Sequence, residues 1–164
     1  IGTMQAQGLP VLPHQKDALE KAGKALDAIR PHAATDLAKA LDRRPELIAK
    51  AAGGRSQEAM RAMSHEAAVR TDPALRSERF VSDWRGLSAQ RKQLEQQGDR
   101  AGAARVSAKL TELAKGLERD PQVESLLRGK TRELGIDPKP ERSIANELTA
   151  TLTRERTRAF DIGI

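Results

Sequence analysis

The stretch SERFVSDWRGLSAQRKQLEQQGDRAGAARVSAKLTELAKGL, Ser77–Leu117, decides the fold because it holds two helical patterns joined by one turn. In its first arm, large apolar residues recur at steps of four, three and seven, and Arg91 occupies the helical position within the step of seven. This spacing marks one face of a helix. These apolar residues are Phe80, Trp84, Leu87 and Leu94. In the second arm, steps of three and four alternate, as in a helix that packs on a neighbour at a shallow angle. Its seam consists of Ala103, Val106, Leu110, Leu113 and Leu117.

The turn between the arms is Gln97-Gly98-Asp99. Gly98 can adopt the left-handed conformation that ends a helix, and Asp99 can cap the next helix by accepting a backbone N–H. The stretch is therefore predicted to be an antiparallel αα-hairpin. Two helices leave half of each apolar seam exposed to water, so other segments must close the core.

The composition favours helices throughout the chain. Aromatic residues make up 2% of the 164 residues, Tyr is absent, and the apolar share of 38% is dominated by residues that suit helices better than strands. We predict an all-α fold, an elongated antiparallel four-helix bundle with short extra helices at one end. Residues 1–13 are predicted to form a flexible arm, residues 14–160 a single domain, and residues 161–164 a C-terminal tail.

Charge and cysteine content restrict the partners. The formal net charge is +6, which makes a polyanionic partner admissible, although Lys and Arg are mixed with 23 acids. The chain has no Cys, which removes disulfides and thiolate metal sites. No apolar run reaches the ~20 residues that a membrane span needs, so we expect no membrane insertion.

The segments before the hairpin divide at Pro and Gly residues. A helix from Pro13 or His14 to Arg30 is predicted to place Leu19, Ala22, Leu26 and Ile29 on one face. Two short helices should follow, the first capped by Thr35 and Asp36 and the second starting at Pro45. Ser56 is predicted to cap a helix that runs to about Arg70 with Met60, Met63 and Ala67 inward.

Two Asp-Pro pairs, Asp72-Pro73 and Asp120-Pro121, predict helix starts, because Asp caps and Pro suits the first turn. The second pair should open a helix that stops at Gly135 and carries Val123, Leu126, Leu127 and Leu134. A last helix, about Glu141 to Arg158, should place Ile144, Leu148 and Leu152 on one stripe. The predicted core residues are Phe80, Trp84, Leu87, Val106, Leu110, Leu113, Leu117 and Leu126.

The sequence gives little support for a catalytic function. His14, His32 and His65 lie in unrelated segments without metal-ligand spacing, and the glycines form no phosphate-binding loop. No nucleophile motif is present, and a chain without Tyr cannot cleave DNA through a tyrosyl intermediate. We predict that the chain is not an enzyme and uses no metal or cofactor.

The basic end of the last helix, Arg154, Arg156 and Arg158, is the candidate partner-binding surface. One interpretation is structural, because cations near a helix C-terminus offset the negative end of its dipole by ~0.3–1 kcal/mol each. The other is functional, because arginines that lie clear of the apolar stripe can pair with the carboxylates of an acidic groove.

Several stretches resemble BID (Bep intracellular delivery) domains, most of all the C-terminal part of TraA-type conjugative relaxases of α-proteobacteria. They are Ala59–Met63 (AMRAM), Arg79–Trp84 (RFVSDW), Leu87–Arg91 (LSAQR) and Leu113–Arg128 (LAKGLERDPQVESLLR). The resemblance covers most of residues 14–160, and its most specific parts surround Trp84 and Asp120-Pro121. It implies an elongated four-helix bundle topped by a hook.

The resemblance also implies a function: a signal by which a conjugative relaxase enters a type IV secretion system through the coupling ATPase. It places the protein in the bacterial cytoplasm, from which it passes to a recipient cell. The relaxase modules to which such a domain is covalently attached are not in this chain, so their nickase Tyr and metal-binding His cluster are not carried over. In this family the tail is a flexible basic extension, of which we expect only a part before Ile164.

Two alternatives remain open at the level of sequence. The first is a DNA-binding accessory domain of a conjugation protein, although the near absence of stacking aromatics argues against the usual type of single-strand recognition. The second is a helical scaffold or self-association module.

Overall fold

The structure, a computed structural model, describes residues 12–137 and 141–161, without the side chains of residues 156–161. The described residues form helices and turns and no strand, which confirms the all-α prediction. The chain divides into two compact units, Ile1–Thr71 and Asp72–Ile164. The four-helix bundle and the single domain over residues 14–160 stay predictions. Residues 1–11 of the predicted arm, residues 162–164 of the predicted tail and residues 138–140 lie outside the described residues.

The first unit contains four helices in its described part, and their bounds lie close to the predicted ones. They are α1 (Pro13–Ile29), α2 (Ala33–Arg43), α3 (Glu46–Ala52) and α4 (Gln57–Thr71). Helix α2 packs mainly on α4, while α1 packs on α2 and α3 on α4. The buried apolar residues of this unit are mostly small: Ala33, Ala40, Leu47, Ala59, Met63 and Val69.

A buried ion cluster lies inside this small core. Asp36 is fully buried in α2, where its Oδ1 accepts a hydrogen bond from Arg70 Nε at 3.1 Å. Arg30 Nη2 lies 3.6 Å from Asp36 Oδ2, so one carboxylate faces two guanidinium groups. The prediction that Thr35 and Asp36 cap α2 is wrong, because α2 begins at Ala33. The Asp36 carboxylate pairs instead with Arg30, which follows α1, and with Arg70 of α4. Removing solvent from a carboxylate is tolerated only with such partners.

Two expectations about the inward faces of the first unit are also wrong. Helix α1 contains no buried residue, and Leu19 and Ile29 are 53% and 84% exposed. In α4, Met63 is buried as predicted, but Met60 is exposed.

The second unit begins with the predicted hairpin. Its elements are α5 (Pro73–Gln96), α6 (Arg100–Gly116), a 3-10 helix (Leu117–Arg119), α7 (Pro121–Leu127), a 3-10 helix (Arg128–Lys130), α8 (Thr131–Leu134) and α9 (Ile144–Asp161). Helix α6 packs on both α5 and α9, while α7 and α8 pack on α5. The predicted Asp120–Gly135 helix is thus divided by a 3-10 turn.

The turn between α5 and α6 has the predicted geometry. Gly98 has φ +75°, and the N–H of Asp99 donates back to Leu94 O at 2.9 Å, which satisfies a carbonyl at the end of α5. Asp99 Oδ1 accepts a hydrogen bond from the N–H of Gly102 at 2.8 Å and so caps α6. A Cβ at position 102 would stand 2.3 Å from Asp99 Oδ2, which explains a glycine in the first turn.

The core of the second unit joins α5, α6, α7, α8 and α9. Of the predicted core, five residues are buried: Phe80, Trp84, Val106, Leu110 and Leu117. Leu87 and Leu113 are half-buried at its edge. In α6 the residue that faces fully inward is Ala114, one position after Leu113. The prediction for Leu126 is wrong: it is 43% exposed, and Leu127 is fully buried. Val123 and Leu127 lie one turn apart on the inward face of α7, and the 3-10 turn then resets the helical phase.

Leu110 and Leu126 make a matched test of this core. Leu110→Ala should lower the free energy of unfolding by ~2–5 kcal/mol, because it opens a cavity in a fully buried layer. Leu126→Ala should change it by less than about 1 kcal/mol, because the side chain already meets water. Urea denaturation of both variants measures the difference. Equal losses of stability would show that the assigned inward faces are wrong.

Candidate interaction surface of the last helix

The N-terminus of α9 is fixed by two side chains. Ser143 Oγ accepts a hydrogen bond from the N–H of Asn146 at 3.1 Å, which caps the helix. Glu124 Oε1 accepts a hydrogen bond from the N–H of Ile144 at 3.2 Å and ties this end to α7. The predicted stripe Ile144, Leu148 and Leu152 is buried against the core. Helix α9 is therefore held along one face from Ile144 to Leu152.

A buried arginine holds α9 just beyond this stripe. Arg91 of α5 is buried, and its Nη2 donates a hydrogen bond to Glu155 Oε2. Arg91 Nε also lies 3.4 Å from Glu95 Oε1. The sequence pattern placed Arg91 on the apolar face of α5, but it gave no sign of the distant carboxylate that allows the guanidinium to be buried there. Two carboxylates offset the cost of removing its charge from water.

Arg154, next to this anchor, faces solvent. Its side chain is 63% exposed, and its Nη2 lies 3.8 Å from Glu147 Oε2, two turns earlier in α9. Glu147 is buried, and its other carboxylate oxygen, Oε1, lies 3.7 Å from Arg142 Nη1. Of the three predicted surface arginines, Arg154 is the one whose side chain the structure describes. The side chains of Arg156 and Arg158 lie outside the described residues.

Glu147 and Glu155 are the residues of this surface that sequence reasoning missed. Glu147 lies beside Leu148 in the apolar stripe and seven residues before Arg154, which is two helical turns. An acidic residue at the edge of a predicted buried stripe, with an arginine seven residues later, could therefore have predicted the pair of Glu147 and Arg154. No local signal connects Glu155 with Arg91, because 64 positions separate them.

The stretches that carry the family resemblance have structural roles here. Trp84 is buried and stacks on Phe80 with 6.1 Å between ring centroids and 12° between ring planes. Asp120 caps α7 by accepting a hydrogen bond from the N–H of Val123 at 3.3 Å. Its other oxygen accepts a hydrogen bond from Arg76 Nε at 2.7 Å, which joins this cap to α5. The most distinctive residues therefore stabilise the second unit.

A shallow groove lies on the surface of the second unit. It is lined by Glu78, Val81, Ser82, Arg85, Lys130 and Glu133. Two carboxylates and two cations share the groove, so it presents no single sign of charge. This lining suits contact with a polar peptide better than binding of a polyanion.

Comparison with family models, with curated proteins and with solved structures found no match to this chain. Within residues 12–137 and 141–161, no group of three or more His, Cys, Asp or Glu side chains is placed to hold a metal ion. No helix in the same ranges is long and apolar enough to span a membrane.

The anchor between Glu155 and Arg91 can be tested by truncation. Glu155→Ala should lower the free energy of unfolding by ~1–3 kcal/mol, because it deprives a buried guanidinium of a charged hydrogen-bond acceptor. Glu112→Ala is the matched control: its exposed ion pair with Lys115 should contribute less than about 1 kcal/mol. Hydrogen exchange of α9 amides, together with urea denaturation, measures both effects. Equal protection of α9 in the two variants would contradict the assigned anchor.

Acid sensitivity tests the Asp120 cap. The hydrogen bond from Arg76 holds the pKa of Asp120 below its ordinary value of 3.8. Because the folded pKa lies below the unfolded one, the stabilisation is complete above 3.8 and is lost as the pH falls through the folded pKa. Asp120→Asn keeps an acceptor but cannot titrate, so its melting temperature should fall less steeply than the parent's below that pH. Parallel melting curves would show that Asp120 does not contribute to acid unfolding.

Proposed function

We propose that this chain is a non-catalytic translocation signal, read by a type IV secretion system through its coupling ATPase. The observation that carries the proposal is the set of stretches similar to BID domains, above all those around Trp84 and Asp120-Pro121. The parent protein would be a conjugative relaxase, to whose modules this chain is covalently attached. It would act in the bacterial cytoplasm and then pass to a recipient cell.

In the second unit, the residues that stabilise the fold differ from those that remain exposed, and this difference supports the proposal. Trp84 and Asp120 stabilise the fold, so a receptor has to contact other residues that remain exposed. Helix α9 is anchored by its apolar stripe and by the Glu155–Arg91 pair, and Arg154 next to this anchor faces solvent. A charged side chain on a fixed helix loses less conformational entropy on binding than one on a loose tail.

The chemistry of arginine supports an acidic receptor surface. The guanidinium of Arg154 has five N–H donors, and its Nη2 lies 3.8 Å from Glu147 Oε2, which is longer than a hydrogen bond. A receptor carboxylate can therefore bind the remaining donors while Arg154 stays solvent-exposed. Charges at the rim of an interface mainly set the association rate and its salt dependence, so several arginines together should matter more than one.

A second candidate, binding to DNA, is favoured by exposed cations on α6. Arg100, Arg105 and Lys109 are exposed, and in the described part of the chain no ion pair involves them. Phosphate binding by these side chains would weaken steeply with salt, because it releases condensed counterions.

Substitution of the three tail arginines tests the leading proposal. A variant with Arg154→Ser, Arg156→Ser and Arg158→Ser should melt within a few degrees of the parent, because these positions follow the buried stripe. Fused to a reporter in a donor cell with a matching secretion system, it should show lower delivery and weaker binding to the coupling ATPase. The physical reason is the loss of pairing with receptor carboxylates.

The matched control removes three cations elsewhere: Arg100→Ser, Arg105→Ser and Lys109→Ser. It changes the net charge equally and should leave delivery unchanged.

Fluorescence anisotropy with labelled duplex DNA tests the second candidate on the same protein, since DNA binding would be lost in this control. Unchanged delivery by the folded tail variant would refute the role of the arginines. The groove beside Arg85 and Lys130 would then be the next surface to test for recognition. No delivery of the parent fusion above a reporter-only control would refute the secretion signal itself.

A further inference from the structure

Two exposed arginines that are far apart in the sequence approach the same buried carboxylate. Arg142, which precedes α9, has its Nη1 3.7 Å from Glu147 Oε1, and Arg154 has its Nη2 3.8 Å from Glu147 Oε2. Glu147 is 3% exposed, whereas the side chains of Arg142 and Arg154 are 51% and 63% exposed. The fold therefore brings both cations to one place on the surface, with the carboxylate between them and the core.

Glu147 leaves the hydrogen-bonding capacity of both arginines unused. Both ion-pair distances are longer than a hydrogen bond, and Glu147 Oε1 has no hydrogen-bond partner. Each guanidinium has five N–H donors, and among the described residues neither side chain donates a hydrogen bond to the protein. Two positive charges thus meet one negative charge, so the place keeps an excess of positive charge and free donors.

The acids beside the two arginines favour a single compact anion as the ligand. Glu141, which precedes Arg142, is exposed, and Glu155, which follows Arg154, is 45% exposed while its carboxylate pairs with Arg91. These two carboxylates would repel the successive phosphates of a nucleic acid. One carboxylate group can face the arginines alone, and the planar fork of a guanidinium matches its two oxygens.

We propose that Arg142 and Arg154 together form a binding site for one aspartate or glutamate side chain of the receptor. The identity of the receptor rests on the proposed function, whereas the affinity for a carboxylate is a property of this chain alone. The site adds Arg142, which lies outside the basic tail, to the recognition surface. Because Glu147 already attracts both guanidinium groups, they lose less conformational freedom on binding than two independent side chains.

Titration with a small peptide tests the site without a secretion system. The probe is acetyl-Gly-Glu-Gly-amide, and acetyl-Gly-Gln-Gly-amide is its uncharged control of nearly equal size. In nitrogen-15 NMR spectra of the full chain, the glutamate peptide should shift the side-chain Nε–H signals of Arg142 and Arg154, and the glutamine peptide should not. Arg142→Ser and Arg154→Ser identify these signals, and each should weaken binding several-fold. Arg132→Ser, which removes an exposed arginine of α8 without an ion pair in the described residues, should leave binding unchanged.

A conservative variant separates recognition from a structural role. Arg142→Lys keeps a positive charge beside the buried Glu147, so its melting temperature should equal the parent's. An ammonium group lacks the planar fork, so the same variant should bind the glutamate peptide more weakly. Equal shifts with the two peptides would overturn the site, as would binding that is unchanged in both Arg142→Ser and Arg142→Lys. Displacement of the glutamate peptide by duplex DNA would also overturn it, since the ligand would then be phosphate.

Delivery of the reporter fusion distinguishes this inference from the proposed function. Arg142→Ser and Arg142→Lys should lower delivery as Arg154→Ser does, and Arg132→Ser should not. If the parent fusion is delivered and Arg142→Ser is delivered equally well, the receptor does not use this site and the inference is wrong, while the secretion signal stands. If the parent fusion is not delivered, the secretion signal and its receptor are refuted, and the peptide titration alone decides whether the carboxylate site exists.

Discussion

Burial of the α6 seam is the constraint on which the second unit depends. Leu110 and Ala114 are completely buried, and they lie one turn apart on the face that α5 and α9 share. Neither α5 nor α9 could bury its own stripe without this common partner, because a single apolar face requires a matching one. The turn at Gly98 brings α5 onto α6, and the contacts of Ile144, Leu148 and Leu152 bring α9 to the same core.

Within each unit, a buried charge cluster adds geometric definition to the apolar core. Asp36 pairs with Arg30, which follows α1, and with Arg70 of α4, and Arg91 of α5 pairs with Glu155 of α9. Apolar contacts between helices tolerate small rotations, whereas an ion pair in a dry environment has to keep its distances or lose its stabilisation. These clusters therefore restrict how the helices of each unit can rotate, at a cost in desolvation.

The surface divides into parts with different physical properties. Helix α9 presents the exposed Arg154 beside the buried carboxylate of Glu147, which suits pairing with an acidic receptor. Helix α1 exposes Leu19, Ala22 and Ile29 on one face, whereas its ion pair between Glu20 and Lys24 lies on the opposite side of the helix. Salt screens an exposed charge but not an apolar face, so the two surfaces respond to different conditions.

The sequence by itself determined the helices and most of their ends, because these depend on neighbouring residues. Gly98 with Asp99, Asp72 with Pro73, and Asp120 with Pro121 were all recognised as helix ends or starts, and backbone hydrogen bonds at each confirm them. Of the candidate site, the exposure of Arg154 followed from its place beside the apolar stripe. Local capping chemistry and a period of 3.6 residues were sufficient for these predictions.

Only the tertiary structure decided which part of each helix faces inward and which charges are buried. Periodicity fixes the angle between Leu113 and Ala114, or between Leu126 and Leu127, but the position of the neighbouring helix chooses between them. The 3-10 turn after Leu127 shifts that choice again. Asp36 and Arg91 could be buried only because Arg70 and Glu155 reach them from 34 and 64 positions away. Such pairs leave no periodic trace in the chain, since the free energy of a buried charge depends on the side chains that the fold brings beside it.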